Sequence, residues 1–541
     1  MIFFDYLVKI IKTFSREEKR VFWIASAILI TTSCTRLAIA IQENSSWQPV
    51  TGGSYTEGLV GQPNFINPIL SGNQIDQDLS ALIYLSLSEF VATQETQENG
   101  QVHIISLKED LKWSDGQPLT ADDVIFSLHL IQNPEINSPL ALRWQGAEIE
   151  RLSEIKVKFT LPSAYGFFDY HLQKLPIIPE HIFGKVPPAN MKLSDYNLEP
   201  IGSGPYRFKS LDKKNSGLIT KYEFTINPFY NDEQKPYIKN IAFEFYENDD
   251  ELLEAFRLRK IDGFGTLKPF VFQEQLPKYA EVQSMPMPRY YAVFFNASVN
   301  PELKNKELRY ALTEAINKKE LTNLLFQENG QMVESPLVHS EKNDAFLPFN
   351  PESAKNRLAK IKNLKPEDIE LNIAVPEIGF LQTTAEFIKK SWQDIGFTKT
   401  NIITFSPEDI VNNVIKTRNY EILLFGQSLE NPLDLLPFWH SSQRFYPGSN
   451  LVLYENPKVD ALIETIRQRY QPENPAGINL QIQELENQII KDAPAVFLYS
   501  LPYIYVHNEK LSGLETITIT NPADRFRNIS TWHVLTARVI K

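Results

Sequence analysis

The chain has 541 residues, enough for three or four domains at about 150 residues each, and so long a chain can bury a core without crosslinks. Hydrophobic residues make up 43% and charged residues 22%, a globular mix rather than a disordered or multi-span membrane one. With 54 Lys and Arg against 66 Asp and Glu the net charge is −12, without the basic block that a nucleic-acid partner requires, and the single Cys34 excludes an intrachain disulfide and a cysteine-cluster zinc site.

Residues 1–20 carry Lys9, Lys12, Arg16, Lys19 and Arg20 against Asp5, Glu17 and Glu18, and read as a basic cytoplasmic segment. The apolar stretch 21–41 would span roughly 31 Å as a helix, enough for a bilayer core. Its positive flank would stay inside, so the rest of the chain would be exported. Arg36 lies near the outer end, where it can snorkel to the headgroups. Three fates remain open. The segment is an uncleaved transmembrane anchor, or a lipoprotein signal ending in Ser33-Cys34, or a cleaved signal with its site at Ala38-x-Ala40. The lipoprotein reading makes Cys34 the lipidation site, although Thr31 stands where that motif usually has Leu. An inert Cys34 within a helix is an equal reading. Either of the first two fates tethers the protein on the outer face of the cytoplasmic membrane.

Residues 42–51 read as a polar linker. Beyond it, alternating apolar runs predict strands at 156–161 and 238–246. Leu308, Ala311, Leu312, Ala315 and Ile316 form one helical stripe, and Ala385, Ile388, Trp392 and Ile395 another that Gly396 stops. Acidic pairs at Asp122-Asp123 and Asp249-Asp250 suit first turns of helices. Helices and strands mix throughout, which predicts an α/β or α+β architecture. Proline-rich breaks near 176–200, 286–288 and 334–351 mark hinges or boundaries.

No nucleophile elbow, paired-histidine metal motif or P-loop is present in the sequence, and its eight histidines are scattered singly. His440 beside Trp439 has the least ordinary setting, and a structural role suits it better than a chemical one. No metal or cofactor is expected. The residues offer no positive case for an enzyme, although a carboxylate pair assembled from distant residues stays open.

Several segments, in order, resemble the family 5 extracellular solute-binding proteins, the peptide-binding subunits of ABC importers. Gly52-Gly-Ser-Tyr-Thr-Glu-Gly58, Asn67-Pro68 and Leu82-Ile-Tyr84 resemble the family's first strand, turn and helix. Trp113-Ser-Asp-Gly116 followed by Thr120-Ala-Asp-Asp123 is close to its signature, with a tight turn at Asp115-Gly116 and Thr120 as a natural N-cap. Ile201-Gly-Ser-Gly-Pro-Tyr206, Asn227-Pro-Phe-Tyr230, Lys260-Ile-Asp262, Phe295-Asn296, Trp392-Gln-Asp-Ile-Gly396 and Tyr454-Glu-Asn-Pro457 follow in the family's order.

The resemblance implies a mixed α/β, two-lobed, periplasmic-binding-protein-like fold of class II, with an extra domain inserted in lobe I. It places lobe I at 50–93, 200–284 and 500–541, the insertion at 94–199 and lobe II at 285–499. The implied function is capture of an oligopeptide in the cleft by hinge closure, and delivery to an ABC permease driven by ATPase subunits. The protein is expected to be a monomer and not an enzyme. Candidate cleft residues are Ser71, Gly72, Asn73 and Gln74 after the Asn67-Pro68 turn, and Phe425, Gly426, Gln427 and Ser428, leading into Asp434 and Trp439. Peptide-binding members often pair an aspartate with the ligand's amine where this chain has Ser428; Glu430 or Asp434 would have to substitute. Trp439 is equally well read as core, and Gly426 as a turn residue. Rival readings are the same fold holding an oligosaccharide, a metal chelate or another small solute, a surface-anchored hydrolase with a dispersed carboxylate pair, and an adhesion or signalling module.

Overall fold

The structure is a computed structural model describing residues 13–232, 234–268, 275–326, 330–338, 346–471 and 474–540. Residues 1–12 of the basic segment therefore lie outside the described residues.

Alternation of side chains organises the centre of the fold. In the strand Arg289–Phe295, Tyr290, Ala292 and Phe294 enter one core, while Val293 and Phe295 enter the other. The neighbouring strand Ala495–Ser500 repeats the pattern, with Phe497 on the first side and Val496 and Leu498 on the second. Strands apolar on both faces belong inside a sheet. Here they occupy the middle of a six-stranded one, ordered Gln331–Met332, Ala495–Ser500, Arg289–Phe295, Ile422–Ser428, Glu370–Pro376 and Lys399–Phe405.

The two stripes read from the sequence cover one face of this sheet. Asn305 caps the helix Lys306–Glu314, whose Leu308, Ala311 and Leu312 are buried, and the helix Gly379–Gln393 buries Ala385, Ile388 and Trp392. Trp392 Nε1 donates to the Leu312 carbonyl at 3.0 Å, so the stripes pack on each other as well as on the sheet. Gly396, at φ +115°, turns the chain in a region that disfavours other residues.

A seven-stranded sheet forms the other lobe, ordered Ala280–Met285, Tyr503–Asn508, Gly263–Thr266, Gly52–Val60, Ile238–Tyr246, Ile219–Ile226 and Tyr206–Lys213. Gly52–Val60 runs parallel to both of its neighbours, and the remaining pairs are antiparallel. A smaller antiparallel sheet, Val91–Gln97, Val102–Leu107, Lys156–Thr160 and Glu148–Ser153, is built from residues between the first and later strands of the seven-stranded sheet. The helix Ala121–Gln132 packs on it, and Thr120 and Asp123 cap that helix reciprocally.

The small sheet's domain is fastened to the seven-stranded lobe. Ser114 N–H donates to the Gly202 carbonyl at 2.8 Å, and within the lobe Gly204 N–H donates to the Ile83 carbonyl at 2.7 Å. A Cβ at Gly202 would lie 2.1 Å from the Ile83 carbonyl oxygen, so only glycine permits this approach.

The N-terminal region differs from the sequence reading in two respects. The residues read as a free linker include a strand, Ser45–Pro49, paired antiparallel with Thr536–Ile540, and Arg538 reinforces it by donating to Ser45 Oγ at 2.7 Å. Backbone pairing with the C-terminus is invisible to composition. The preceding helix, Arg16–Glu43, is 28 residues long with a capping box at Ser15 and Glu18. Among the described residues no helix is long and apolar enough to cross a membrane. Thr31, Thr32, Ser33 and Arg36 dilute the apolar run at 21–41, for which a transmembrane anchor is one of the three expected fates.

Candidate functional site: the cleft between the lobes

Two neighbouring crossovers join the large sheets. Ala280–Met285 of the seven-stranded sheet continues through Pro286-Met287-Pro288 into Arg289–Phe295, and Ala495–Ser500 of the six-stranded sheet continues through Leu501-Pro502 into Tyr503–Asn508. The proline break at 286–288 thus lies where the chain changes sheets. Arg289, buried, donates through Nε to the Leu501 carbonyl at 2.7 Å and through Nη2 to Leu267 at 3.1 Å and Pro502 at 3.3 Å. It satisfies the Leu501 and Pro502 carbonyls of one crossover and the Leu267 carbonyl just beyond the strand Gly263–Thr266.

Facing the six-stranded lobe, the inserted domain presents an aromatic segment, residues 165–174. Tyr165 donates its hydroxyl to Asp434 Oδ2 at 2.9 Å and lies 3.0 Å from His171 Nε2. Arg467 stacks over the Tyr165 ring at 4.8 Å and approaches Asp434 Oδ1 at 3.3 Å. Gly166 N–H donates to the Arg467 carbonyl at 2.7 Å, Phe167 packs on Tyr470 at 4.4 Å, and Arg143 pairs with Glu430. Burial pushes the His171 imidazole down to about 3, helped by Arg143 and Arg467, so the ring is neutral and serves as a hydrogen-bonding partner rather than a cation. Burial also raises the Tyr165 hydroxyl well above its ordinary value, with the Asp434 charge adding to the effect.

The same segment reaches the C-terminal part of the chain. Lys174 Nζ lies 3.1 Å from both Thr520 Oγ1 and Asp524 Oδ1. Burial alone would raise the Asp524 carboxyl, but Lys174 and the Thr520 amide and hydroxyl outweigh it and hold the group below its usual value. Asn521 then links to the first helix of the lobe, accepting from Gln74 at 2.9 Å and donating to Gln77 at 2.5 Å. Beneath that helix, Arg525 bridges Glu57 and Asp78, with all three side chains out of water. Tyr505 donates to Glu57 at 2.6 Å and shares a hydrogen bond with Tyr55 at 2.8 Å. Polar groups of the segment 165–174, the helix after Asn73 and residues 520–525 are thus paired across three remote parts of the chain.

Residues 87–446 match the family described as bacterial extracellular solute-binding proteins, family 5 Middle. The chain belongs to this family. A curated relative, the oligopeptide-binding protein AppA of Bacillus subtilis, is 24% identical over 91% of this chain and 93% of its own length. Among solved structures, the ABC transporter substrate-binding protein CtaP of Listeria monocytogenes superposes with a TM-score of 0.77 at 22% identity, covering 90% of this chain and 99% of that one. AppA of Bacillus subtilis in complex with a nonapeptide superposes with a TM-score of 0.70 at 21% identity, covering 90% and 100%. The two-lobed architecture of this family 5 protein is thus the fold of these neighbours.

The residues singled out in the sequence divide into two groups. In the first, Asn73 caps the helix Gln74–Ile83 by accepting from Asp76 N–H at 2.8 Å, and Gln74 reaches Asn521. Gly72 has open space where a Cβ would project, Ser428 is exposed at the end of its strand, and Asp434 is taken by Tyr165 and Arg467. Glu430 is likewise taken, by Arg143. The others are internal. Ser71 is buried and donates to the Asn67 carbonyl at 2.8 Å, closing the turn. Gln427 accepts from Tyr290 at 2.6 Å and donates to the Ser449 carbonyl at 2.8 Å, while Trp439, 1% exposed, donates to the Tyr290 hydroxyl at 3.2 Å. Phe425 is half-buried against the core, and Gly426 is required because a Cβ would lie 2.7 Å from the Tyr291 ring. Sequence reasoning missed Arg143, Tyr165, His171, Lys174, Arg467, Asn521 and Asp524. The dense aromatic run Tyr165-Gly-Phe-Phe-Asp-Tyr170 was the one signal that could have found some of them.

Proposed function

We propose that this protein is the substrate-binding component of an ABC importer, capturing oligopeptides between its lobes and handing them to a permease powered by ATPase subunits. The observation that carries this reading is the near-complete superposition on AppA of Bacillus subtilis in complex with a nonapeptide, alongside the curated AppA relative that matches over most of both chains. The mechanism is non-covalent. Ligand stabilises the closed arrangement by binding it better than the open one, and the crossovers around Arg289 form the hinge. An extended peptide gains affinity from its backbone, with limited side-chain selectivity.

In this reading lobe I comprises 50–93, 200–284 and 500–541, the insertion 94–199 and lobe II 285–499, and the protein acts as a monomer. Gly72, Asn73, Gln74, Ser428 and Asp434 line the cleft, while Ser71, Phe425, Gly426, Gln427 and Trp439 hold its walls in place. The N-terminal helix tethers the protein to the outer face of the cytoplasmic membrane. Exposed Trp23, Ile24, Ile28, Ile30 and Leu37 support the tether, because so much apolar surface on one helix calls for a cover. Thr31, Thr32 and Thr35 turn their hydroxyls onto carbonyls of the preceding turn at 2.6–2.8 Å, which leaves less of their polarity on the helix surface. Cys34 is exposed on the same helix and open to lipidation. Thermal unfolding with and without an oligopeptide pool tests the ligand assignment. A rise in melting temperature supports it, and none across the pool overturns it.

A further inference from the structure

We infer that the inserted domain carries a latch that holds the two lobes together without ligand. The inference rests on the reading of two lobes closing about a hinge, and goes beyond it in assigning closure energy to the protein itself. The latch has two polar arms. In one, His171, Tyr165, Asp434 and Arg467 form a chain of contacts from the insertion to lobe II, with Tyr165 as the link at 3.0 Å and 2.9 Å. In the other, Arg143 of the insertion, its side chain 15% exposed, pairs with Glu430 of lobe II.

The backbone fixes their register. Gly166 N–H donates to the Arg467 carbonyl, at the end of the helix Pro457–Arg469, and a Cβ on Gly166 would lie 2.2 Å from the Tyr470 carbonyl oxygen. The insertion meets lobe II here by direct main-chain contact, so the two surfaces fit in one arrangement. Each side is anchored to its own lobe. The insertion is tied to lobe I through Asn67–Asn197 at 3.2 Å and Ser138 to the Ile69 carbonyl at 2.7 Å, and Asp434 precedes the Leu435 and Trp439 that sit in the lobe II core. Opening the cleft must break these contacts, and Tyr165, Asp434 and Arg467 lose one another together. In the closed arrangement Asp434 and Glu430 are therefore engaged by the latch.

Spin labels on the full chain test this without any ligand. Leu193→Cys on the insertion and Leu480→Cys on lobe II are both highly exposed, and Cys34→Ser removes the native thiol. In ligand-free protein the interlobe distances should fall mainly in one short population. Tyr165→Phe, which keeps the ring over Arg467, and separately Arg143→Gln, should each shift molecules to longer distances, and the double variant should lower the closed-to-open ratio about tenfold, the worth of charge-assisted hydrogen bonds. A parent protein already dominated by long distances overturns the latch, as do variants whose distributions match the parent's. Because no peptide is present, failure here is distinct from failure of the oligopeptide assignment, which the thermal shift reads.

Discussion

Arg289 donates through Nε to the Leu501 carbonyl at 2.7 Å, so one buried guanidinium ties together the two chain segments that cross between the lobes. Among the described residues it makes no ion pair with a carboxylate. Its donors go to Leu501, Pro502 and Leu267 carbonyls, which makes it a fastener for irregular backbone.

Replacement by methionine keeps the stem and removes the donors. Arg289→Met should cost about 1–3 kcal/mol, the price of buried carbonyls left without partners. It should also broaden the interlobe distance distribution in both directions. Chemical denaturation and spin-label distances check the two effects; unchanged distances would mean that Arg289 is a stability element and not part of the hinge.

The buried cluster beneath the cleft gives a sharper stability test. Removing Arg525 strands Glu57 and Asp78 away from water, so Arg525→Met should destabilise by about 3–5 kcal/mol. Glu57→Gln should cost less, because burial already raises the Glu57 carboxyl and the amide still accepts from Tyr505. Equal losses in the two variants would contradict this assignment of charge.

Much of the fold could be read from the sequence because it rests on local periodicity. The stripe of Leu308 and Leu312 and that of Ala385 and Trp392 form the helices expected of them, and Ile238–Tyr246 is a strand over the residues that alternate. The cleft was less legible, because its partners are remote in the chain. Gln74 and Asn521 are 447 residues apart, and Tyr165 and Asp434 are 269 apart. Nothing in Trp439 itself tells core from cleft. Tyr290 and Phe497 decide it, and they arrive from two strands remote in the chain. The strand Ser45–Pro49 escaped notice for the same reason, since its partner is the C-terminus.

His171 gives the protein an acid sensitivity of defined sign. Its folded value, about 3, lies below the ordinary 6.5, so the unfolded chain binds the proton more readily. Stability is therefore complete above about pH 6.5 and falls as pH drops toward 3, at up to roughly 1.4 kcal/mol per pH unit from this group. His171→Gln should flatten that part of the profile, as read by denaturant unfolding at stepped pH. The same slope in the variant would place the acid sensitivity elsewhere.

Trp439 and Ser428 separate wall from lining. Trp439→Ala should lose about 3–5 kcal/mol of stability, as expected for a large side chain removed from a packed core. Ser428→Ala should stay within about 0.5 kcal/mol of the parent while changing ligand affinity, since the side chain is exposed and bears no packing load. Denaturation curves and calorimetric titration with the ligand distinguish the two.

The central claim is that the cleft holds an oligopeptide. Mass spectrometry of the small molecules released from protein purified without denaturation tests it most directly. The expected result is a set of oligopeptides of mixed sequence, recovered intact at about one per protein, as backbone-directed binding predicts. Stoichiometric recovery of a sugar, a metal chelate or another non-peptide solute would contradict the claim.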